Sequence, residues 1–309
     1  MKWFNNIGLC FLASFLSTTG CGGPAKNNAA AKAVDTELAQ ELSAARATFT
    51  RGAWPQAAGL YRLALKRAQL MDDPTEIANA AFNYAATLVQ TADYEGARTA
   101  LAEAKVEAVR GGAPTSDIAS LEAHVAQLQG RLEDAAQLVD AVLADKTASA
   151  EDRLQATLVK GQIACSVKDI GAAKALAMQA RTLVTGGTSP AFAAGIAELD
   201  GCIALLDHNL AVAAERFDRQ AAFLREGRLY GDMVRALAHA GDAYGDANQP
   251  ALAADRFFRA GRSAIAQNDL MAAQPLVEAA GNQAGKAGDA RLITRVEQLR
   301  KMLPDNKNK

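Results

Sequence analysis

The sequence predicts an all-α fold, a solenoid of about seven helical hairpins, and three observations carry that expectation. Half of the 309 residues are hydrophobic but only 6% are aromatic, and alanine is the commonest of the apolar residues. Alanine and leucine, with the abundant Glu, Gln, Lys and Arg, lose little side-chain freedom in a helix, and the β-branched clusters that strands need are scarce. One pattern also recurs along the chain: an apolar residue or proline, Ala three positions later, then a large apolar residue four later. Its small residues, Ala57, Ala97, Ala135, Ala173, Ala213 and Ala253, are separated by 40, 38, 38, 40 and 40 residues, a 38–40 residue period.

The first 20 residues stand apart from this pattern. Lys2 precedes an apolar stretch from Ile7 to Leu16, and small residues lead to Cys21. That is the layout of an export signal, too short for a comfortable membrane span. The ending "STTGC" resembles a bacterial lipobox, whose cysteine is lipid-modified and becomes the mature N-terminus. Thr18 departs from the usual leucine, and an ordinary secretory signal is the alternative. Residues 21–34, containing "GGPAKNNAAAKAV", have no apolar face and read as a tether. By the same resemblance, Gly22 is not the aspartate that retains many lipoproteins in the inner membrane, which implies the outer membrane, facing the periplasm.

The array is expected over residues 35–303. Its copies are marked by Trp54, Ala57, Tyr61 and Ala64; Tyr94, Ala97, Leu101 and Ala104; Leu132, Ala135, Val139 and Val142; Ile170, Ala173, Ala177 and Ala180; Leu210, Ala213 and Phe217; and Pro250, Ala253, Phe257 and Ala260, with a worn copy at Ala290 and Ile293. Turn signals such as "TRGAW", "TADYE", "LDHNL" and "DANQP" split each copy into two helices, and looser connectors such as "MDDPT" and "TGGTSP" join the copies. Pro55 and Pro250 fall in first turns, where a missing N–H costs nothing. Fourteen helices of about 14–19 residues result. The end, "ARLITRVEQLRKMLPDNKNK", is basic on its polar face and stops at Pro304; it reads as the polar cap that a solenoid needs, followed by a tail over 304–309.

With small residues opening each copy and an aromatic or large apolar residue near its end, the signature resembles the tetratricopeptide repeat, across nearly the whole mature chain. The copies are longer than the 34-residue consensus. A HEAT-type array has similar length, but its hallmark proline and Asp/Arg positions are not regularly present. The resemblance implies a right-handed superhelix that binds protein partners through a concave groove lined by the first helix of each hairpin. Carried over residue by residue, the groove holds Leu42, Arg46 and Phe49 at its N-terminal end, then Gln162, Cys165, Glu198 and Cys202, and finally Arg235, Asp242, Gly245, Asp246 and Asn282. Leu42 and Leu121 stand where the carboxylate clamp of chaperone-binding members needs polar side chains, so recognition of an acidic chain terminus is not implied.

One small position in the first helix of each copy is Ala45, Ala85 and Ala123, then Gly161, Gly201, Gly241 and Gly281. A dinucleotide or phosphate loop would need a preceding strand, and none is expected. The glycines are therefore assigned to close helix packing. Gly245 is expected to leave room beside the groove for a partner's backbone.

Chemistry has few candidates. The three histidines, His124, His208 and His239, fall in three copies, and there is no CxxC, HExxH or nucleophile elbow. Neither catalysis, a cofactor nor a metal site is expected. With a formal net charge of −1 and no basic block, nucleic-acid binding is disfavoured. Cys165 and Cys202 are too few to build the fold and read as buried or half-buried thiols, with a bridge between them as the alternative. The sharpest local feature is Asp232, Arg235, His239, Asp242 and Asp246, whose 3, 4, 3 and 4 spacing places all five on one helix face. It reads either as a solvated, internally paired face or as a grip for a basic or polar peptide, with weak metal binding as a third option. The functional expectation is a membrane-anchored scaffold for envelope proteins. A module for a soluble peptide or cell-wall fragment and a non-catalytic enzyme subunit are the alternatives.

Overall fold

A computed structural model describes residues 35–184 and 189–303. The expected signal segment, Cys21 and the tether, and the tail from Pro304, lie outside the described residues. Those residues are all-helical: α1 (Thr36–Thr50), α2 (Trp54–Leu70), α3 (Pro74–Gln90), α4 (Tyr94–Arg110), α5 (Ser116–Leu128), α6 (Leu132–Ala144), α7 (Ala150–Ser166), α8 (Ile170–Leu183), α9 (Pro190–Leu206), α10 (Leu210–Glu226), α11 (Tyr230–Asp246), α12 (Pro250–Ala266), α13 (Leu270–Ala287) and α14 (Ala290–Arg300). They divide into two compact units, residues 35–49 with 54–156, and residues 157–303 with the turn 50–53. Within each unit, successive helices pack as hairpins, the arrangement of an α-solenoid.

A 20-residue module underlies the longer period. The helices from α7 onward start at 150, 170, 190, 210, 230, 250, 270 and 290, and α2 to α4 start at 54, 74 and 94. Most modules are a 17-residue helix followed by a three-residue turn. The connection between copies at residues 71–73, 227–229 and 267–269 is thus the same tight turn as the one inside a hairpin, and not the looser connector expected.

The turn has a common hydrogen-bond pattern. After α3 the Asp93 N–H donates to Leu88 O at 3.0 Å and the Ala92 N–H to Val89 O at 3.1 Å, while Ala92 sits at φ 60°. This is a Schellman closure, which satisfies two carbonyls that the helix end leaves orphaned. The same bonds follow α9, α10, α11 and α12, with His208, Arg228, Asn248 and Asn268 in the left-handed conformation. Many turns also supply the next cap: the side chains of Asp93, Asp169 and Asp269 accept from the backbone N–H groups of Gly96, Ala172 and Ala272.

The N-terminal unit has a core in which Phe49, Tyr61, Leu101 and Leu121 are enclosed by fully buried alanines, among them Ala45, Ala57, Ala64, Ala85, Ala97 and Ala104. The second unit centres on Phe217, Phe257, Val277, Val296 and Leu299, with Ala213 and Ala253 fully buried. An ion pair braces its α10 against α12: Arg256 donates from Nε to Asp218 Oδ1 at 2.8 Å and from Nη2 to Oδ2 at 2.7 Å, and the Tyr244 hydroxyl donates to the same carboxylate at 3.1 Å. Such bidentate geometry raises the Arg256 pKa, chiefly through its hydrogen bonds to Asp218.

Candidate functional site

The four glycines in 40-residue register all face close neighbours. A Cβ on Gly201 would lie 2.6 Å from Phe217 Cε1, and one on Gly241 would lie 3.0 Å from three Phe257 ring atoms. Each phenylalanine comes from the second helix of the same hairpin. In the fourth copy that place is Ala177, and Leu199 of the next copy takes the space, with Cδ2 2.6 Å from a Cβ on Gly161. A Cβ on Gly281 would lie 3.0 Å from Arg300 Nη2 and 3.6 Å from Val296 Cγ1. The space beside Gly245, by contrast, is occupied: Gln283 Nε2 would be 2.8 Å from a Cβ there. The room expected for a partner's backbone is filled by a side chain of α13. A Cβ on Gly261 would lie 2.9 Å from Val277 Cγ2, so it too is a packing residue.

The five-residue stripe on α11 divides along its length. Asp232 is 3% exposed and His239 9%, Arg235 is half-buried, and Asp242 and Asp246 reach the surface. Helix position alone puts these residues on one face, but the first half of that face is covered. Asp232 and Arg235 form an ion pair one turn apart. The His239 ring stands edge-on to Phe217, with centroids 5.4 Å apart. Asn282 on α13 is exposed, as are Glu278 and Lys286.

Glu198 on α9 joins the buried half. It is fully buried, and neither carboxylate oxygen has a hydrogen-bond partner among the described residues. Burial pushes its pKa well above the usual carboxylate range; Arg235 counters this, and Asp232 and Cys165 add to it. Burial also raises Asp232 to about 6 against the pull of Arg235, and lowers His239 to about 4 with the help of that same guanidinium. Isolating a charge from water costs far more than isolating a neutral group, so one arginine beside two buried carboxyls favours keeping a proton on the carboxyls. Asp242 is raised to about 6, first by desolvation and then by Asp246. The cluster can therefore hold a proton near neutral pH.

Among the described residues no group of three or more His, Cys, Asp or Glu is arranged to hold a metal ion. A groove of ≈ 540 Å³ on α4, α5 and α6 is lined by Glu95, Arg98, Glu122 and Arg131, among others. Its charges pair locally, Arg98 with Glu95, Lys105 with Glu122 and Arg131 with Asp134. No described helix is long and apolar enough to cross a membrane. Fold and site together define a regular array of helical hairpins whose polar residues separate into a sealed cluster and an exposed acidic end. The sequence matches no protein-family model and no curated protein.

Burial was the signal that sequence reading missed. Glu198 falls at an implied groove position, and nothing in its local sequence distinguishes a solvated carboxylate from a sealed one.

Proposed function

We propose that this chain is a lipid-anchored scaffold of the cell envelope, a tetratricopeptide-type array without catalysis of its own, which holds a protein partner at the polar end of α11 and α13. The observation that carries this reading is the division of the α11 stripe. Asp232, Arg235 and His239 serve the interior, while Asp242, Asp246 and Asn282 remain at the surface on neighbouring copies of the repeat. Two exposed carboxylates, close enough for one to raise the pKa of the other, favour a basic or polar peptide segment. The sequence at Cys21 supports the anchor, and the outer membrane facing the periplasm is the proposed place.

A photo-cross-linking residue at Asn282 tests the partner surface in cells. It should capture a small set of envelope proteins, and replacing Asp242 and Asp246 with asparagine should abolish that capture. Retention of every partner by the double variant would overturn the assignment. A soluble peptide or cell-wall fragment held at the same place would instead raise the melting temperature of the purified chain in proportion to its concentration.

A further inference from the structure

Gly161 and Leu199 bring α7 and α9 together, since the glycine leaves no Cβ to hold the leucine away. One turn further along α7 is Cys165, and three residues further along α9 is Cys202. The two sit on the same seam, are 1% and 0% exposed, and are unbridged. Cys165 acts on the Cys202 thiol more strongly than any other group, so the two side chains are neighbours across this seam. Neighbouring cysteines on helices that approach this closely are the arrangement from which a disulfide can form.

We infer that Cys165 and Cys202 are partners in a disulfide that clips α7 to α9 and encloses the 36 residues between them. The oxidant is a small disulfide or a disulfide-exchange protein. One cysteine thiolate attacks the donor disulfide and expels one donor thiolate, giving a mixed disulfide. The second cysteine, deprotonated, attacks that bond and expels the other donor thiolate. Two electrons and two protons leave the cysteine pair, and the donor becomes two thiols. The contact with Cys165, then burial, hold the Cys202 thiol far above its ordinary pKa. Thiolate is therefore scarce once the helices have docked, so the bond forms while the chain folds and is afterwards shielded from reductants.

The test uses the full chain in detergent, unfolded in denaturant and refolded by dilution into a mixture of oxidised and reduced glutathione. It does not depend on where the chain resides. After tryptic digestion, the peptide containing Cys165 should be recovered joined to the peptide containing Cys202, in excess over links to Cys10 or Cys21. The oxidised chain should melt about 5–10 °C above its reduced form, the shift expected from closing a loop of this length in a unit of this size. Cys165→Ser and Cys202→Ser should each abolish the link and that redox-dependent difference. Recovery of both peptides as alkylated thiols, or a scrambled distribution of links, would overturn the inference. So would a link that forms but lowers the midpoint, because it would show that the seam cannot accommodate the bond.

Discussion

Alanine in place of Gly201 and alanine in place of Gly59 should change stability in opposite directions. Both glycines lie inside helices, so each substitution gains about 0.8–1.0 kcal/mol of helix propensity. At Gly59 on α2 the new methyl meets nothing within 4 Å, and that gain should appear almost in full. At Gly201 the methyl would lie 2.6 Å from Phe217 Cε1 and 2.9 Å from Cδ1 and Cζ, against roughly 3.5–4.0 Å for a relaxed carbon contact. The ring would have to retreat by about 1 Å, yet it is fully buried and stands against His239. Overpacking of this kind costs about 1–3 kcal/mol, so the net change should be a loss of roughly 0–2 kcal/mol. Urea unfolding followed by circular dichroism gives both midpoints. Gly201→Ala combined with Phe217→Leu should recover part of the loss, because the neighbour that must move has been trimmed. If Gly201→Ala stabilised the protein as much as Gly59→Ala, the glycine register would not be a packing device.

Other expectations concern charge, turns and the anchor. A buried carboxyl with a raised pKa contributes stability at low pH that is lost as the pH rises through its folded-state value. His239 acts in the opposite sense, losing its contribution as the pH falls from about 6.5 to about 4. Burial raises Glu198 well above the usual carboxylate range, so Glu198→Gln should flatten the fall in melting temperature with rising pH; equal slopes for the two proteins would refute that assignment. Ala92 and Arg228 hold φ 60° without being glycine, at a cost of roughly 1–2 kcal/mol each. Ala92→Gly and Arg228→Gly should recover about 0.5–1 kcal/mol in thermal or urea melts, with no gain counting against the strain. Cys21→Ser should abolish palmitate labelling in cells, and undiminished labelling would remove the lipid anchor from the proposal.

The helical architecture was readable because its determinants are local or periodic. The alanines at 57, 97, 135, 173, 213 and 253 mark a small-residue contact that recurs with the repeat, and all six are fully buried. The half-period was harder to see, because the left-handed turn position is filled by Ala, Lys, His, Arg and Asn as well as Gly, and no residue type announces it. The α11 stripe shows where sequence reasoning stops. Its spacing correctly places five polar residues on one face, but exposure depends on which helix covers that face, and the sequence does not record it. The burial of Asp232 within the stripe and of Glu198 at an implied groove position is hidden from the sequence for the same reason.

The equal turns constrain how such a chain can lengthen or shorten. Because the junction between copies at residues 227–229 matches the one within a copy at 247–249, removing the 20-residue module between them would rejoin the chain at an equivalent turn. It would nevertheless bring together two helices of the same kind, glycine-bearing against glycine-bearing or phenylalanine-bearing against phenylalanine-bearing, and cavities or clashes would follow along the seam. Gain and loss of modules is therefore subject to a parity rule: single modules are forbidden by packing although the backbone permits them, and viable length variants of this protein should differ by whole pairs.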